Sequence, residues 1–276
     1  MLTKEVTLPI GIEKDGTRYK KVIISEMNGY DEENLTSKKV RNNGAKAQTI
    51  LLQRCIQEIP GLLDRKERSN DLISSSLVKK MYSFDRDFLF ISIRSLGVNL
   101  SSEEEPTEFR YGCPSCGAEG YSSVLLSDLP VYDWPDDEPL EMEIEFLRPF
   151  NYSGEEYTTG TWRFMNGKQQ EILAAQPQEK VASETLAMCI VKLGDTEVTI
   201  TGEMMKRLTS NERNHILSQV IEETPGIDTK LDCVCDSCET EWQEVLDISR
   251  FFDQAAKRKK SESPQPKKRR RKLRKI

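Results

Sequence analysis

The sequence has few of the residues on which catalysis depends. It contains a single histidine, His215, so no Ser-His-Asp or Cys-His arrangement can be built beyond one imidazole. Gly154 and Gly160 stand alone, and no glycine-rich phosphate-binding loop occurs. Acidic runs such as 103–105 and 136–138 lie beside prolines, which indicates solvated loops rather than general acid–base pairs. We therefore expect no enzymatic activity.

Long apolar runs are also missing. No run reaches the length that a membrane span needs, and the first residues lack the basic and apolar pattern of a secretory signal. We therefore expect a soluble protein with no membrane partner. At 276 residues, the chain is long enough to bury one large core or two modest ones.

Cysteines are present in a pattern that predicts a metal site. Cys113 and Cys116 form one Cys-x-x-Cys pair, Cys235 and Cys238 form another, and each pair lies at the tip of a predicted β-hairpin. The two-residue gap lets both thiolates of a turn reach one ion, and two such turns supply the four ligands of a closed tetrahedral zinc site. Residues 117–234 separate the pairs, so a shared Zn²⁺ would join two distant parts of the chain. This zinc would be structural, because four thiolates leave no open position for a substrate.

Chance, redox activity and disulfide formation are the alternatives to a metal site for the cysteine pairs. A thioredoxin-like pair begins a helix, whereas strand-like sequence flanks the first pair on both sides. Disulfides require an oxidising compartment. Cys233 offers a second thiol close to Cys235, but the hairpin register favours Cys235 as the ligand. Cys55 and Cys189 lie in helical patterns and are interpreted as plain buried thiols.

Charge is distributed unevenly along the chain. Residues 257–276 hold twelve Lys or Arg and one acid, Glu262, a net charge of +11, which leaves −17 on residues 1–256 from the total of −6. The basic segment has no aromatic residue, so any nucleic-acid binding through it would be independent of base sequence. Docking on an acidic protein surface, a resemblance to a nuclear-localisation signal and simple solubilisation are the other possibilities. Its densest part is Lys268, Arg269, Arg270 and Arg271.

Apolar periodicity and turn residues predict the main elements of the first half. Strands at 6–10 and 21–24 flank an Asp15-Gly16 turn, which indicates an N-terminal β-hairpin. A helical pattern runs from Ala45 to Ile59. The clearest helix runs from Asp85 to Gly97, with acids in its first turn and a terminating glycine.

The second half repeats this plan loosely. A loop is predicted at 151–154, a strand at 161–164 and helical patterns at 169–175 and 183–193. A helix with a capping-box start follows from Thr209 to Ile221. Helices therefore precede a cysteine hairpin twice.

These observations predict an α+β fold, in which helical segments accompany an N-terminal β-hairpin and a zinc ribbon built from the two Cys-x-x-Cys β-hairpins. The predicted units are the N-terminal β-hairpin plus helices at 1–100, the first zinc-knuckle hairpin at 101–132, a linker and second helical half at 133–226, the second zinc-knuckle hairpin at 227–252, and a disordered basic tail at 253–276.

An ordered set of motifs resembles a known family. The motifs are, in chain order, Asp-Arg-Asp-Phe-Leu at 85–89, Ile-Arg-Ser-Leu-Gly at 93–97, Cys-Pro-Ser-Cys-Gly at 113–117, Leu-Ser-Asp-Leu at 126–129, Thr-Pro-Gly at 224–226, Cys-Asp-Ser-Cys at 235–238 and Leu-Asp-Ile-Ser-Arg-Phe-Phe at 246–252. The set is similar to that of zinc-ribbon proteins of contractile phage tails, the T4-like baseplate or baseplate-hub assembly family.

The resemblance implies a non-enzymatic protein of baseplate-hub assembly, either a chaperone-like factor or a minor structural component. Its partners would be phage baseplate hub and tail proteins. Its locations would be the host cytoplasm during assembly and the tail baseplate of the virion. We expect Trp242, Phe251 and Phe252 to contribute apolar contacts to a partner.

Two other functions remain open. A nucleic-acid-binding zinc-ribbon protein would use only residues 257–276, because acidic residues surround the second cysteine pair and repel phosphate. A thiol oxidoreductase would use the cysteine pairs as redox centres. The hub-assembly hypothesis is preferred to both because it also accounts for the ordered motifs.

Overall fold

The computed structural model describes residues 2–37, 40, 43–64, 72–98, 106–221 and 224–246, and these form the predicted α+β fold. The elements of the first half are β1 (Thr3–Lys14), β2 (Thr17–Ser25), α1 (Gly29–Thr36), α2 (Gly44–Cys55), β3 (Ile56–Glu58), α3 (Ser75–Lys80), α4 (Ser83–Val98), β4 (Thr107–Gly112) and β5 (Glu119–Val124). A short 3-10 helix, Leu126–Asp128, and β6 (Val131–Tyr132) lead to the second half.

The second half contains another set of strands and helices. Its elements are β7 (Glu141–Tyr152), β8 (Glu155–Arg163), α5 (Gly167–Leu173), α6 (Gln178–Cys189), β9 (Ile190–Leu193), β10 (Thr196–Glu197), α7 (Gly202–Met205), α8 (Ser210–Ile221), β11 (Gly226–Ile227), β12 (Lys230–Val234) and β13 (Glu241–Val245). Among the described residues, no helix is long and apolar enough to span a bilayer.

The N-terminal hairpin confirms its predicted turn. Asp15 and Gly16 both have positive φ, at 52° and 75°, as a two-residue hairpin turn requires. β1 and β2 pair antiparallel on either side of this turn, and β3 extends the sheet in the order β1-β2-β3. Leu8 and Ile24 from this sheet are completely buried in the core of the first half.

The second half repeats the first more closely than the sequence indicated. β7 and β8 have the same lengths as β1 and β2, 12 and 9 residues, and are joined by Ser153 and Gly154 with positive φ. Asn28 caps α1 and Asn166 caps α5, each with a complete capping box. α2 and α6 then each end at a cysteine and lead into a short sheet strand. The chain therefore contains two copies of one arrangement.

Three local predictions were wrong. Residues 151–154 are not the start of a loop, because Asn151 and Tyr152 end β7 while Ser153 and Gly154 form the turn of the β7–β8 hairpin. The predicted strand at 161–164 overlaps only the last three residues of β8. Helices were expected to reach residues 59 and 193, but they end at Cys55 and Cys189. Ile56 and Ile190 instead pair with neighbouring strands, and a β-branched residue packs well on such a surface.

The cores of the two halves are interlocked. Ile10, on strand β1, packs in the second core, and Leu246, just after β13, packs in the first core. The backbone N–H of Trp134 donates to the carbonyl of Pro9, which attaches the connecting segment to β1. Asp85 is buried in α4 and accepts the N–H groups of the irregular part of β1, at Ile10 and Gly11 (2.8 and 2.9 Å).

A buried polar network also connects the halves. Arg86 of α4 is fully buried, and burial lowers the pKa of its guanidinium to about 10. Its hydrogen-bond acceptors are the Gln170 Oε1 (2.8 Å), the Val78 carbonyl (3.1 Å), the Ala45 carbonyl (2.9 Å), the Thr49 hydroxyl (3.0 Å) and the Gln48 Oε1 (3.4 Å). Because Gln170 belongs to α5 and the other four acceptors to α2 and α3, one side chain links elements of both halves.

Candidate metal centre

The first cysteine pair lies in a tight turn between β4 and β5. The Gly117 N–H donates to the carbonyl of Cys113 (3.0 Å), and the Cys113 N–H donates to the carbonyl of Ala118 (2.8 Å). Gly117 has a φ of 72°, a conformation that glycine adopts readily where the chain turns back. These bonds direct Cys113 and Cys116 toward one point at the tip of the hairpin.

The second pair forms the same turn between β12 and β13. The Glu239 N–H donates to the carbonyl of Cys235 (2.9 Å), and the Cys235 N–H donates to the carbonyl of Thr240 (3.0 Å). Glu239 takes the place of Gly117 and has a φ of 57°, although it is not a glycine. The two turns therefore have matching backbone hydrogen bonds despite their different residues.

The two turns bring four sulfur atoms together. Cys113 Sγ lies 3.6 Å from Cys238 Sγ, Cys116 Sγ lies 3.7 Å from Cys235 Sγ, and all four atoms are within 4.8 Å of one another. A tetrahedral Zn–S₄ centre with bonds of about 2.3 Å has sulfur–sulfur separations of about 3.8 Å. The four thiols therefore fit a zinc ribbon and could hold one metal ion.

The sulfurs differ in how readily they lose a proton. Hydrogen bonds with the side chain and backbone of Thr240 lower the pKa of Cys238 to about 6. Hydrogen bonding to the backbone of Cys116 also lowers the pKa of Cys113. Cys116 itself receives a hydrogen bond from the Ala118 backbone that lowers its pKa, but interactions with the neighbouring thiols, chiefly that of Cys238, outweigh this effect and raise the pKa to about 12. Binding of a metal ion here would release protons, because the ligands are thiolates.

Aromatic packing holds the two hairpins against each other beside the sulfurs. Tyr111 of β4 and Trp242 of β13 meet edge to face, with ring centroids 5.2 Å apart. The Tyr111 hydroxyl donates to Asp236 in the second turn (3.4 Å), and its ring lies directly over Gly120 of β5. Sequence reasoning missed Tyr111 and Gly120, although a glycine inside a strand often marks such a close approach.

The other cysteines lie away from this cluster. Cys233 is buried within β12, and burial raises the pKa of its thiol. Cys55 and Cys189 are buried at helix ends, which agrees with their interpretation as plain thiols. Both Cys-x-x-Cys pairs lie between two strands and not at the start of a helix, unlike the thioredoxin arrangement.

Of the predicted partner-binding residues, the structure describes only Trp242. Trp242 is half-buried between the hairpins, where its Nε1–H donates to Glu244 (3.1 Å). Phe251 and Phe252 lie outside the described residues, and so do the basic residues Lys268, Arg269, Arg270 and Arg271. The role of all these residues in partner binding stays a prediction. The single histidine, His215, is a half-buried residue of α8.

The sequence around this cluster matches a known protein family. The model of the family described as T4 bacteriophage base plate protein matches residues 20–253. The chain belongs to this family. The match includes both cysteine hairpins and most of both halves. No curated protein and no solved structure matches the chain.

Membership in this family makes the chain a phage baseplate protein. As such it is a component of the virion tail and interacts with other baseplate or tail proteins. The four-cysteine cluster is a possible metal site within this baseplate protein.

Proposed function

We propose that this baseplate protein is a non-enzymatic assembly component of the baseplate hub, either a chaperone-like factor or a minor structural component, and that it contains one structural zinc. The observation that supports the proposal is that four thiols from two hairpins, with Cys116 and Cys235 119 positions apart, converge in a member of a baseplate family. The proposed task of the metal is mechanical: it would fix the two hairpins as one rigid surface for neighbouring tail proteins.

The physical need for such a cross-link follows from the size of the hairpins. β4–β5 and β12–β13 are separate two-stranded sheets, and a two-stranded sheet alone is marginally stable in water. Four thiolates would complete the coordination of Zn²⁺ and leave no position for substrate. The free energy of metal binding would therefore contribute to folding rather than to a reaction.

Metal content of the purified full-length chain is the first test. We expect one zinc per chain by elemental analysis, and loss of that zinc in both Cys113→Ser and Cys235→Ser. Cys233→Ser is the matched control, because Cys233 lies in the same hairpin but outside the cluster. Absence of metal, or two half-sites that lose metal independently, would contradict a shared structural ion. A metal other than zinc would contradict the assigned cofactor.

The assembly role needs a second experiment. Affinity capture of the full-length chain from infected cells should recover hub proteins encoded by the same phage genome, and a phage lacking the gene should fail to complete its baseplates. Normal tails from the deletion phage, together with the absence of any hub partner, would eliminate the hub-assembly proposal while leaving the metal site unaffected.

Nucleic-acid binding is the alternative function, and the +11 charge of residues 257–276 is the observation that favours it. The exposed acids of the second cysteine hairpin repel phosphate, so this hairpin itself is not expected to bind nucleic acid. A salt titration of DNA binding by the full-length chain distinguishes the two functions. The alternative requires strong binding that falls steeply with salt and is lost when Lys268, Arg269, Arg270 and Arg271 are all replaced by glutamine.

A further inference from the structure

One face of the second cysteine hairpin has no covering element among the described residues. Along β12 and β13, Cys233 and Trp242 point toward the first hairpin or the core and are buried or half-buried. The alternating residues Val234 and Val245 point outward, with 55% and 63% of their surface exposed. We call the outward side of β12 and β13, together with the adjoining turn residue Glu239, the outer ribbon face.

The outer ribbon face carries a net negative charge. Asp232, Glu239 and Glu241 are all exposed on it, and Lys230 is its only basic residue among those described. None of the three acids forms an ion pair within the described part of the chain. The corresponding side of the first hairpin is different, because Arg110 there pairs with Glu119.

We propose that the basic segment 257–276 docks on the outer ribbon face of its own chain. The segment has a net charge of +11, opposite in sign to the charge of the face. It also includes Leu273 and Ile276, whose apolar side chains can cover the exposed Val234 and Val245. Lysine and arginine side chains can donate to carboxylates while their alkyl stems cover apolar surface. The outer ribbon face can therefore form both ion pairs and apolar contacts with the basic segment.

The position of the last described residue, Leu246, favours this face over other acidic surfaces as the docking site. The structure describes the chain up to Leu246, whose N–H donates to the Thr229 carbonyl at the base of the hairpin (2.8 Å). Only residues 247–256 separate this point from Lys257. Ten residues reach up to about 33 Å when extended, whereas a five-residue strand is about 17 Å long. The basic segment can therefore reach the whole face, at an effective concentration on the order of millimolar.

Docking of the segment has a functional consequence. A segment held by its own chain is unavailable to nucleic acid, and the outer ribbon face is unavailable to other proteins. A partner that binds the segment or the face must first displace this contact. Its apparent affinity is therefore its intrinsic affinity multiplied by the fraction of chains in which the contact is open. The contact would therefore oppose unspecific binding of the +11 segment to polyanions.

Zero-length carbodiimide cross-linking of the full-length chain tests where the segment lies. An equal mixture of ¹⁵N-labelled and unlabelled protein separates cross-links within one chain from those between chains. We expect lysines of 257–276 to be joined to Asp232, Glu239 or Glu241 of the same chain at low salt. The yield should fall several-fold at about 0.5 M salt, where the Debye length is only about 4 Å. Cross-links mainly between labelled and unlabelled chains, or distributed evenly over all exposed acids, would overturn the proposal.

Limited trypsin digestion gives a second readout that does not depend on reactive carboxylates. The variant Asp232→Asn/Glu239→Gln/Glu241→Gln should lose residues 257–276 several-fold faster than the native chain at low salt. The matched control, Glu143→Gln/Glu156→Gln/Asp195→Asn, removes three exposed acids from the β7–β10 sheet region and should leave the rate unchanged. Equal rates in all three proteins, each with the same metal content and unfolding midpoint, would contradict docking on this face.

Discussion

Replacement of Gly167 by alanine tests whether the buried Arg86 network holds the two halves together. Gly167 is the first residue of α5, and Arg86 lies against its α-carbon. A methyl group at this position would lie 2.3 Å from Nη1 and 2.6 Å from Cζ of the guanidinium. Such distances are impossible, and Arg86 cannot move without losing hydrogen bonds from the buried network, for example those to Gln170 and Thr49.

These contacts determine how much the substitution should lower the free energy of unfolding. Forcing extra volume into a packed interior typically costs about 1–3 kcal/mol. Leaving one buried donor or acceptor of the network unsatisfied adds about 1–3 kcal/mol. The gain in helix propensity from glycine to alanine opposes this by up to about 1 kcal/mol. We therefore expect Gly167→Ala to lower the free energy of unfolding by about 1–6 kcal/mol.

The internal repeat supplies a matched control. Gly29 is the first residue of α1 and follows the capping residue Asn28 as Gly167 follows Asn166. A methyl group on Gly29 would have no neighbouring atom within 4 Å, so Gly29→Ala should be neutral or slightly stabilising. Urea unfolding of both full-length variants, followed by circular dichroism, measures the difference. A midpoint for Gly167→Ala equal to that of Gly29→Ala would refute the role assigned to Arg86.

Three further predictions concern the metal centre and pH. Gly120→Ala would place a methyl group 2.3 Å from the Tyr111 hydroxyl, so we expect weaker zinc retention against a chelator, with Gly112→Ala as the uncrowded control. Burial raises the pKa of Asp85 to about 7, so the folded chain binds this proton more tightly than the unfolded chain. The free energy of unfolding should therefore fall as pH rises from about 4 to about 7, and Asp85→Asn should show a smaller fall in urea midpoints over this range. Chelation of the metal should lower the thermal midpoint, while most of the far-ultraviolet dichroism persists because the fully buried residues of both cores lie outside β4–β5 and β12–β13.

Features that depend on neighbours in the chain could be read from the sequence. The Asp15-Gly16 turn was correctly predicted because positive φ at two successive positions restricts the choice of residues. The four cysteines of the cluster were identified because a two-residue gap within a hairpin turn itself places two thiols side by side. The helix ends at Cys55 and Cys189 were not predicted, because periodicity cannot distinguish the last turn of a helix from a short buried strand.

The sequence by itself therefore determined the fold class, the N-terminal hairpin and the identity of the four cysteines. The convergence of these cysteines was a prediction that the structure confirmed. Only the tertiary structure decided that Tyr111 and Trp242 pack the hairpins together and that Arg86 joins the two halves. These contacts join residues that are distant in the chain, such as Tyr111 and Asp236 at a separation of 125 positions. Local propensity carries no information about such pairs, because their proximity results from how the two interlocked cores pack.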